Sequence, residues 1–206
     1  MSDSPRFPAE WEPQSAILMA WPHAGTDWAA RLESTRLCFA RIAAAISRRQ
    51  TLLLLASDAT VEADARTALA QSDADLARVR FITLPYNDTW LRDSGPISLR
   101  RADSFELLDF HFTAWGGKFE AGLDDRIVSE LSAQGVFWNA THRRIDFALE
   151  GGGIETDGAG TLLSTWHCLH ERHPEKSRAD IEAVLKKHHR QDRVLWLEHG
   201  YLEGDD

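Results

Sequence analysis

The sequence predicts an α+β fold, and three observations carry that expectation. Strand-like and helix-like segments alternate along the chain, several strand pairs flank short turn clusters, and no linker or low-complexity stretch interrupts them. Ser15–Ala20 reads as a first buried strand, ended by Trp21-Pro22. Leu32, Thr35, Phe39, Ile42 and Ile46 recur at helical spacing, which predicts a helix from about Asp27 to Arg48 with that face inward. Cys38 lies within it and is expected as a small core residue. Thr51–Leu55 is a continuous apolar run of strand length, suited to a strand covered on both faces. A second helix is expected from about Thr60, with Val61, Ala65, Ala68 and Leu69 inward. Val79–Thr83 is the next strand, and it delivers the chain into a loop over Asn87–Pro96.

Beyond that loop the pattern changes. Ile97–Leu99 and Phe105–Phe112 flank a polar turn and predict a hairpin, which Trp115-Gly116-Gly117 ends. A short helix is expected from about Asp124 to Gln134, burying Ile127, Val128 and Leu131. Ile145–Leu149 leads into Glu150-Gly151-Gly152-Gly153. Ile154–Thr156 and Thr161–Thr165 then pair around Asp157–Gly160. Ser177 with Asp180 three residues on predicts a helix start, continued by Ile181, Val184 and Leu185. Val194–Leu197 is the last strand. A strand–hairpin–helix unit thus recurs about every 40 to 60 residues, without clean sequence identity between copies. The whole of 1–206 reads as a single domain.

Bulk properties narrow the function. A chain of 206 residues can bury a sizeable core, and 43% hydrophobic with 27% charged residues describes an ordinary globular protein. A net charge of −9 argues against a nucleic-acid backbone or an anionic membrane as partner, and it suits a small cation. The two cysteines, Cys38 and Cys168, form no disulfide framework, and Met1–Pro5 has no secretory pattern. A cytoplasmic protein is expected. Most of the eight tryptophans are expected in the core, with Trp90 the exception because its neighbours are polar and turn-forming.

Candidate chemistry concentrates in four places. Asn87–Pro96 carries Asp88, Trp90, Arg92 and Asp93, a suitable receptor for a flat organic cation. A carboxylate accepts paired N–H bonds and an indole covers the cation's stem or face. The same residues also suit a tight turn in which Asp93 and Arg92 satisfy backbone groups. Glu150 precedes three glycines, which permit positive backbone dihedrals or close approach of a ligand; no P-loop lysine follows. Gly204-Asp205-Asp206 could bind a cation, or belong to a solvated end. Trp166–His173 packs His167, Cys168, His170 and His173 together. Its spacing fits no closed zinc site and no nucleophile–base pair, so a surface loop with a half-buried thiol is expected.

Together these motifs resemble the agmatine deiminase family, related to bacterial-type peptidylarginine deiminase. The residues carrying the likeness are Ala9–Gln14, Ala20–His23, Asn87–Pro96, Trp115–Lys118, Glu150–Glu155, Gly160–Leu163 and Glu203–Asp206. The resemblance implies a pentein-type α/β propeller of ββαβ-like units, of which about three of five would be present. It implies hydrolysis of a guanidine, agmatine to N-carbamoylputrescine and ammonia, with neither metal nor cofactor. A cysteine thiolate attacks the guanidinium carbon, ammonia leaves, and water resolves the covalent intermediate with a histidine as acid and base. By motif, Asp93 is implied as the main guanidinium-binding carboxylate, Glu150 as a second acid, Trp90 as a pocket wall and Asp206 as a further substrate contact. Arg92 is read as holding the acids in place. The family's histidine element and its nucleophilic cysteine follow Gly-Asp-Asp and are not in these 206 residues, so the chain is expected to be catalytically incomplete. Its uncovered strand edge would favour self-association. Two alternatives stand beside this: a peptidylarginine-type activity, or a guanidinium or amine receptor without chemistry. A metal-dependent hydrolase using Asp88, Asp93, Glu150 and Asp206 ranks lowest.

Overall fold

The structure, a computed structural model, describes residues 4–200. It is α+β, built on three sheets of three strands each among the described residues. The first sheet orders β1 (Ala16–Ala20), β2 (Thr51–Ala56) and β3 (Val79–Thr83), all parallel, with Leu18 opposite Leu53 and Leu54 opposite Phe81. Parallel neighbours need crossover connections. The helices Leu32–Ser47 and Ala59–Ala70 supply them. Asp58 caps the second helix, its carboxylate accepting from the amides of Thr60 at 2.7 Å and Val61 at 2.9 Å. Central β2 is buried from Leu52 to Ala56, as an unbroken leucine run between two parallel neighbours requires.

Three expectations for the first helix are corrected. It begins at Leu32, after a 3-10 turn at Ala29–Arg31, rather than at Asp27. Its buried face is Thr35, Ala40, Ala43, Ala44 and Ser47, with Phe39 and Ile46 packed beside it, while Ile42 is 44% exposed. Cys38 is exposed, not a core residue. Small alanines let the helix axis lie close over β2, and that gain outweighs burying Ile42.

The second sheet orders β4 (Ile97–Arg101), β5 (Ser104–His111) and β6 (Ala140–Ala148). β4 and β5 form the expected antiparallel hairpin, and β6 returns parallel to β5 after a helix at Ile127–Ala133. β6 starts well before Ile145. Its first half carries His142-Arg143-Arg144, which hides the strand in the sequence. Those charges are met across the ladder: Arg143 Nε lies 2.6 Å from Glu106, and buried Asp109 pairs with Arg144 at 2.6 Å and His142 at 2.7 Å.

The third sheet repeats that order. β7 (Ile154–Thr156) and β8 (Thr161–Thr165) form a hairpin, and β9 (Arg193–Leu197) lies parallel to β8. Between β8 and β9 run the helices Trp166–Arg172 and Arg178–His189. Ser177 and Asp180 form a reciprocal capping box at the second of these. The first is a correction, since a surface loop was expected there. Leu169 faces the core and closes the helix onto it.

Leu99, Leu108, Phe110, Phe147, Leu162, Leu169 and Leu185 form one apolar core shared by the second and third sheets. Trp21, Leu52, Leu54, Ala65 and Leu69 form the core of the first. The chain's contacts divide accordingly into two compact units. Of the described residues, one contains 4–12, Arg92–Ala121 and 128–200; the other contains Pro13–Leu91 and Gly122–Ile127. Among the described residues no helix is long and apolar enough to cross a membrane.

Candidate functional site

The site is built from turns at strand ends. Asp93 sits in a single helical turn, Leu91–Ser94, just before β4. Glu150 sits just beyond the end of β6, where Gly151–Gly153 makes a 3-10 turn into β7. The two acids are far apart in sequence and are brought together: the amide of Gly152 donates to Asp93 Oδ1 at 2.8 Å. Two of the glycines are required for space. A Cβ on Gly151 would come within 2.3 Å of the Arg92 carbonyl oxygen, and one on Gly152 within 2.3 Å of Asp93 Oδ1. None of the three has a positive φ, so they admit the protein's own Asp93 turn rather than a left-handed backbone.

Trp115 completes the Asp93 environment, its indole Nε1 donating to Oδ2 at 3.1 Å. It is held by an unusual turn, since Ala114, Trp115, Gly116 and Gly117 all have positive φ. Consecutive left-handed residues are costly for Ala and Trp and persist only where surrounding packing enforces them. A Cβ on Gly116 would approach Arg172 Nη1 to 3.0 Å. Arg172, at the end of its helix, donates from Nε to Glu150 Oε1 at 2.9 Å. Glu150 is 3% exposed, and its buried Oε2 accepts no hydrogen bond among the described residues. Two lone pairs on each Asp93 oxygen and an open Glu150 oxygen leave acceptor capacity for a donor-rich cation.

The other expected site residues have settings of their own. Arg92 does not hold Asp93 and Glu150. It pairs with Glu10 and with Glu155 at 3.2 Å and donates to the Ile154 carbonyl at 3.3 Å, tying the N-terminal segment to β7. Trp90 belongs to the other compact unit, where it is 39% exposed and packs against Trp28 in a tilted arrangement with ring centres 5.6 Å apart. Asp88, also in that unit, is engaged by the amides of Thr89 at 2.7 Å and Asp27 at 2.9 Å. Burial pushes its carboxyl above the ordinary value, against those two bonds. Asp206 lies outside the described residues.

The histidine-rich helix disperses its groups. His167 reaches Glu171 at 3.3 Å, His170 stacks on Trp166, and His173 stacks on Phe147 with Nε2 2.9 Å from the Ala148 carbonyl. Cys168 is half-buried, and burial followed by the Glu150 charge raises its thiol above the ordinary value. A thiol so placed is a poor nucleophile. Trp115 and Arg172 are the site residues that sequence reasoning missed. The Trp-Gly-Gly punctuation was the available signal for the first; Arg172 gave none, because helical phase alone brings it beneath Glu150.

Comparison with known proteins identifies the chain's relatives. The chain is 36% identical to agmatine deiminase of Stutzerimonas stutzeri over 208 residues, covering 97% of this chain and 54% of that protein. It therefore spans about half the length of the curated relatives it matches. Among solved structures, C. jejuni agmatine deiminase with substrate bound, a cysteine-to-serine variant, superposes with a TM-score of 0.88 at 30% identity. That match covers 98% of this chain and 59% of the other. The putative arginine deiminase of Porphyromonas gingivalis gives a TM-score of 0.84 at 40% identity, covering 97% and 58%. The model of the Porphyromonas-type peptidyl-arginine deiminase family matches residues 6–206. With Asp93 and Glu150 gathered at one set of strand ends and that match running nearly end to end, the chain belongs to the Porphyromonas-type peptidyl-arginine deiminase family.

Proposed function

We propose that this chain supplies the guanidinium-gripping part of a cysteine-dependent hydrolase that converts agmatine to N-carbamoylputrescine and ammonia. The observation that carries the reading is the convergence of Asp93 and Glu150 through the Gly152 amide. A guanidinium stays protonated at any accessible pH, so its nitrogens must be met by carboxylates, and these also fix the carbon for attack. Asp93 and Glu150 would take the N–H groups, Trp90 would offer its indole face, and Asp206 would be a further contact. The sulfur nucleophile would come from sequence not included in these 206 residues. Cys38 is exposed on a helix of the other unit, and burial followed by the Glu150 charge raises the half-buried Cys168 thiol above its ordinary value. The substrate-bound relative with its cysteine replaced by serine supports a thiolate mechanism. In that mechanism sulfur bonds to the guanidinium carbon, a C–N bond breaks to release ammonia, and water cleaves the C–S bond.

The two sheets with hairpin–helix–strand order would be ββαβ units of a pentein-type propeller, with further units outside this sequence. The partners would be a small guanidine cation and a second copy of the chain, with no nucleic acid or membrane involved. Two unpaired cysteines suit a cytoplasmic setting.

Calorimetric titration with agmatine tests the reading. The chain should bind it, and Asp93→Ala should weaken binding on the order of a hundredfold, the loss of a charge-assisted pair. Unchanged affinity would remove Asp93 from the clamp. The 206-residue chain should form no carbamoyl product, whereas a version extended through the rest of its family's length should, with or without a chelator. Turnover by the short chain would overturn the assignment of the nucleophile, and loss of turnover with chelator would favour a metal hydrolase.

A further inference from the structure

We propose that Arg172 is a positioning residue for the clamp: it compensates the buried Glu150 charge through Oε1 and leaves Oε2 as the acceptor for an incoming cation. The inference rests on the function proposed above and names the group that sets the charge of that site. Glu150 is 3% exposed and the Arg172 side chain 8%, so this is an ion pair removed from water. A buried charge persists only when paired and hydrogen-bonded. Arg172 meets that need at one oxygen, with Nε 2.9 Å from Oε1. The second oxygen is buried without a hydrogen-bond partner among the described residues, which leaves it with its full acceptor capacity beside Asp93 and Arg172.

The surrounding turn is shaped to the guanidinium. Gly116 has φ +91°, which strains any other residue, and a Cβ there would press on Arg172 Nη1 at 3.0 Å. The preceding residue, Trp115, donates to Asp93 Oδ2. Arg172 thereby lies near both acids: it bonds to one and sits against the turn that bonds the other. The charges then balance. Glu150 and Arg172 cancel, Asp93 alone remains negative among the three, and one guanidinium substrate neutralises it. Glu171 lies 3.7 Å from Arg172 Nη1 but is exposed, where solvent screens it. A planar fork with a fixed charge is suited to this task, whereas a lysine would keep only the charge.

Titration of the full 206-residue chain with agmatine, in two buffers of different ionisation enthalpy, tests the proposal. Wild type should bind without proton release. Arg172→Gln leaves Glu150 without its counter-charge, so the acid takes up a proton; binding should weaken about tenfold or more and release about one proton. Arg172→Lys should weaken binding only a few fold and release none. Infrared spectroscopy gives a readout independent of agmatine. At pH 8, above the range in which Asp124 holds its proton, R172Q should show a protonated-carboxyl band that is absent from R172Q/E150Q, R172K and wild type. If wild type fails to bind agmatine, the function proposed above is wrong, and the band still decides the role of Arg172. R172Q with wild-type affinity and no proton release, or lacking the band, would overturn it. If R172Q does not fold, a folded R172K upholds charge compensation, and an R172K that also fails shows that packing alone is the requirement.

Discussion

Asp124 shows how burial can outweigh hydrogen bonding at a single residue. It is 3% exposed and accepts from the amides of Asn87 at 2.7 Å and Asp88 at 3.2 Å, while Asn87 Oδ1 accepts from Leu123 at 2.8 Å. This reciprocal clasp fixes the segment leading to Trp90. Burial pushes the carboxyl up to about 6, opposed by those amide bonds and reinforced by the Asp88 charge. The folded value lies above the unfolded value of about 4, so the folded chain binds the extra proton between the two. The stabilisation from this group is full below about pH 4 and is lost as pH rises through about 6, on the order of 1–3 kcal/mol. Urea unfolding at pH 4 and pH 7 should find wild type gaining that much at pH 4 relative to Asp124→Asn. An equal difference between the proteins at both pH values would refute the assignment. The sequence offered Asp124 only as a helix-start residue, because its partners are set by the chain returning to Asn87.

At the scale of the element, Glu150-Gly151-Gly152-Gly153 was visible as a motif but its use was not. Three adjacent glycines leave open whether the need is a left-handed backbone, a ligand or a neighbouring segment. The structure selects the last, with Arg92 and Asp93 against Gly151 and Gly152 and nothing within 4 Å of a Cβ at Gly153. Gly151→Ala and Gly152→Ala should each cost about 1–3 kcal/mol of stability by overpacking. G152A should also weaken agmatine binding, because it displaces Asp93. Gly153→Ala should change neither by more than about 0.5 kcal/mol. Denaturation midpoints and calorimetry on the three variants check this, and a G153A as damaging as G152A would contradict it. The helix Leu32–Ser47 teaches the converse lesson. Its apolar residues admit two inward faces, and contact with β2 chose the alanine face over that of Ile42.

For the whole molecule, alternation of strand and helix was legible because burial of one face imprints a period on the sequence. The three-sheet division was less so, since the charged start of β6 reads as strand only once Glu106 and Asp109 stand opposite it. Among the described residues β9 is an edge strand, and Leu195 and Leu197 on it are 49% and 51% exposed. Open apolar edges promote pairing with other chains. Sedimentation of the 206-residue chain should therefore depend on concentration, and Leu195→Lys with Leu197→Lys should suppress that dependence. A wild-type chain that stays monomeric would argue against self-association through this edge.

Local order alone determined much of this protein. The apolar runs of β1 to β3, the hairpins, the Ser177 cap and the acid- and glycine-bearing turns each rest on residues within a few positions of one another. Tertiary structure decided the partners: Glu150 with Arg172, Asp93 with Gly152 and Trp115, and Arg92 with Glu10 and Glu155. A hydrogen bond or ion pair forms over about 3 Å between groups whose separation along the chain is unconstrained, so folding had to bring them together before their roles could be read.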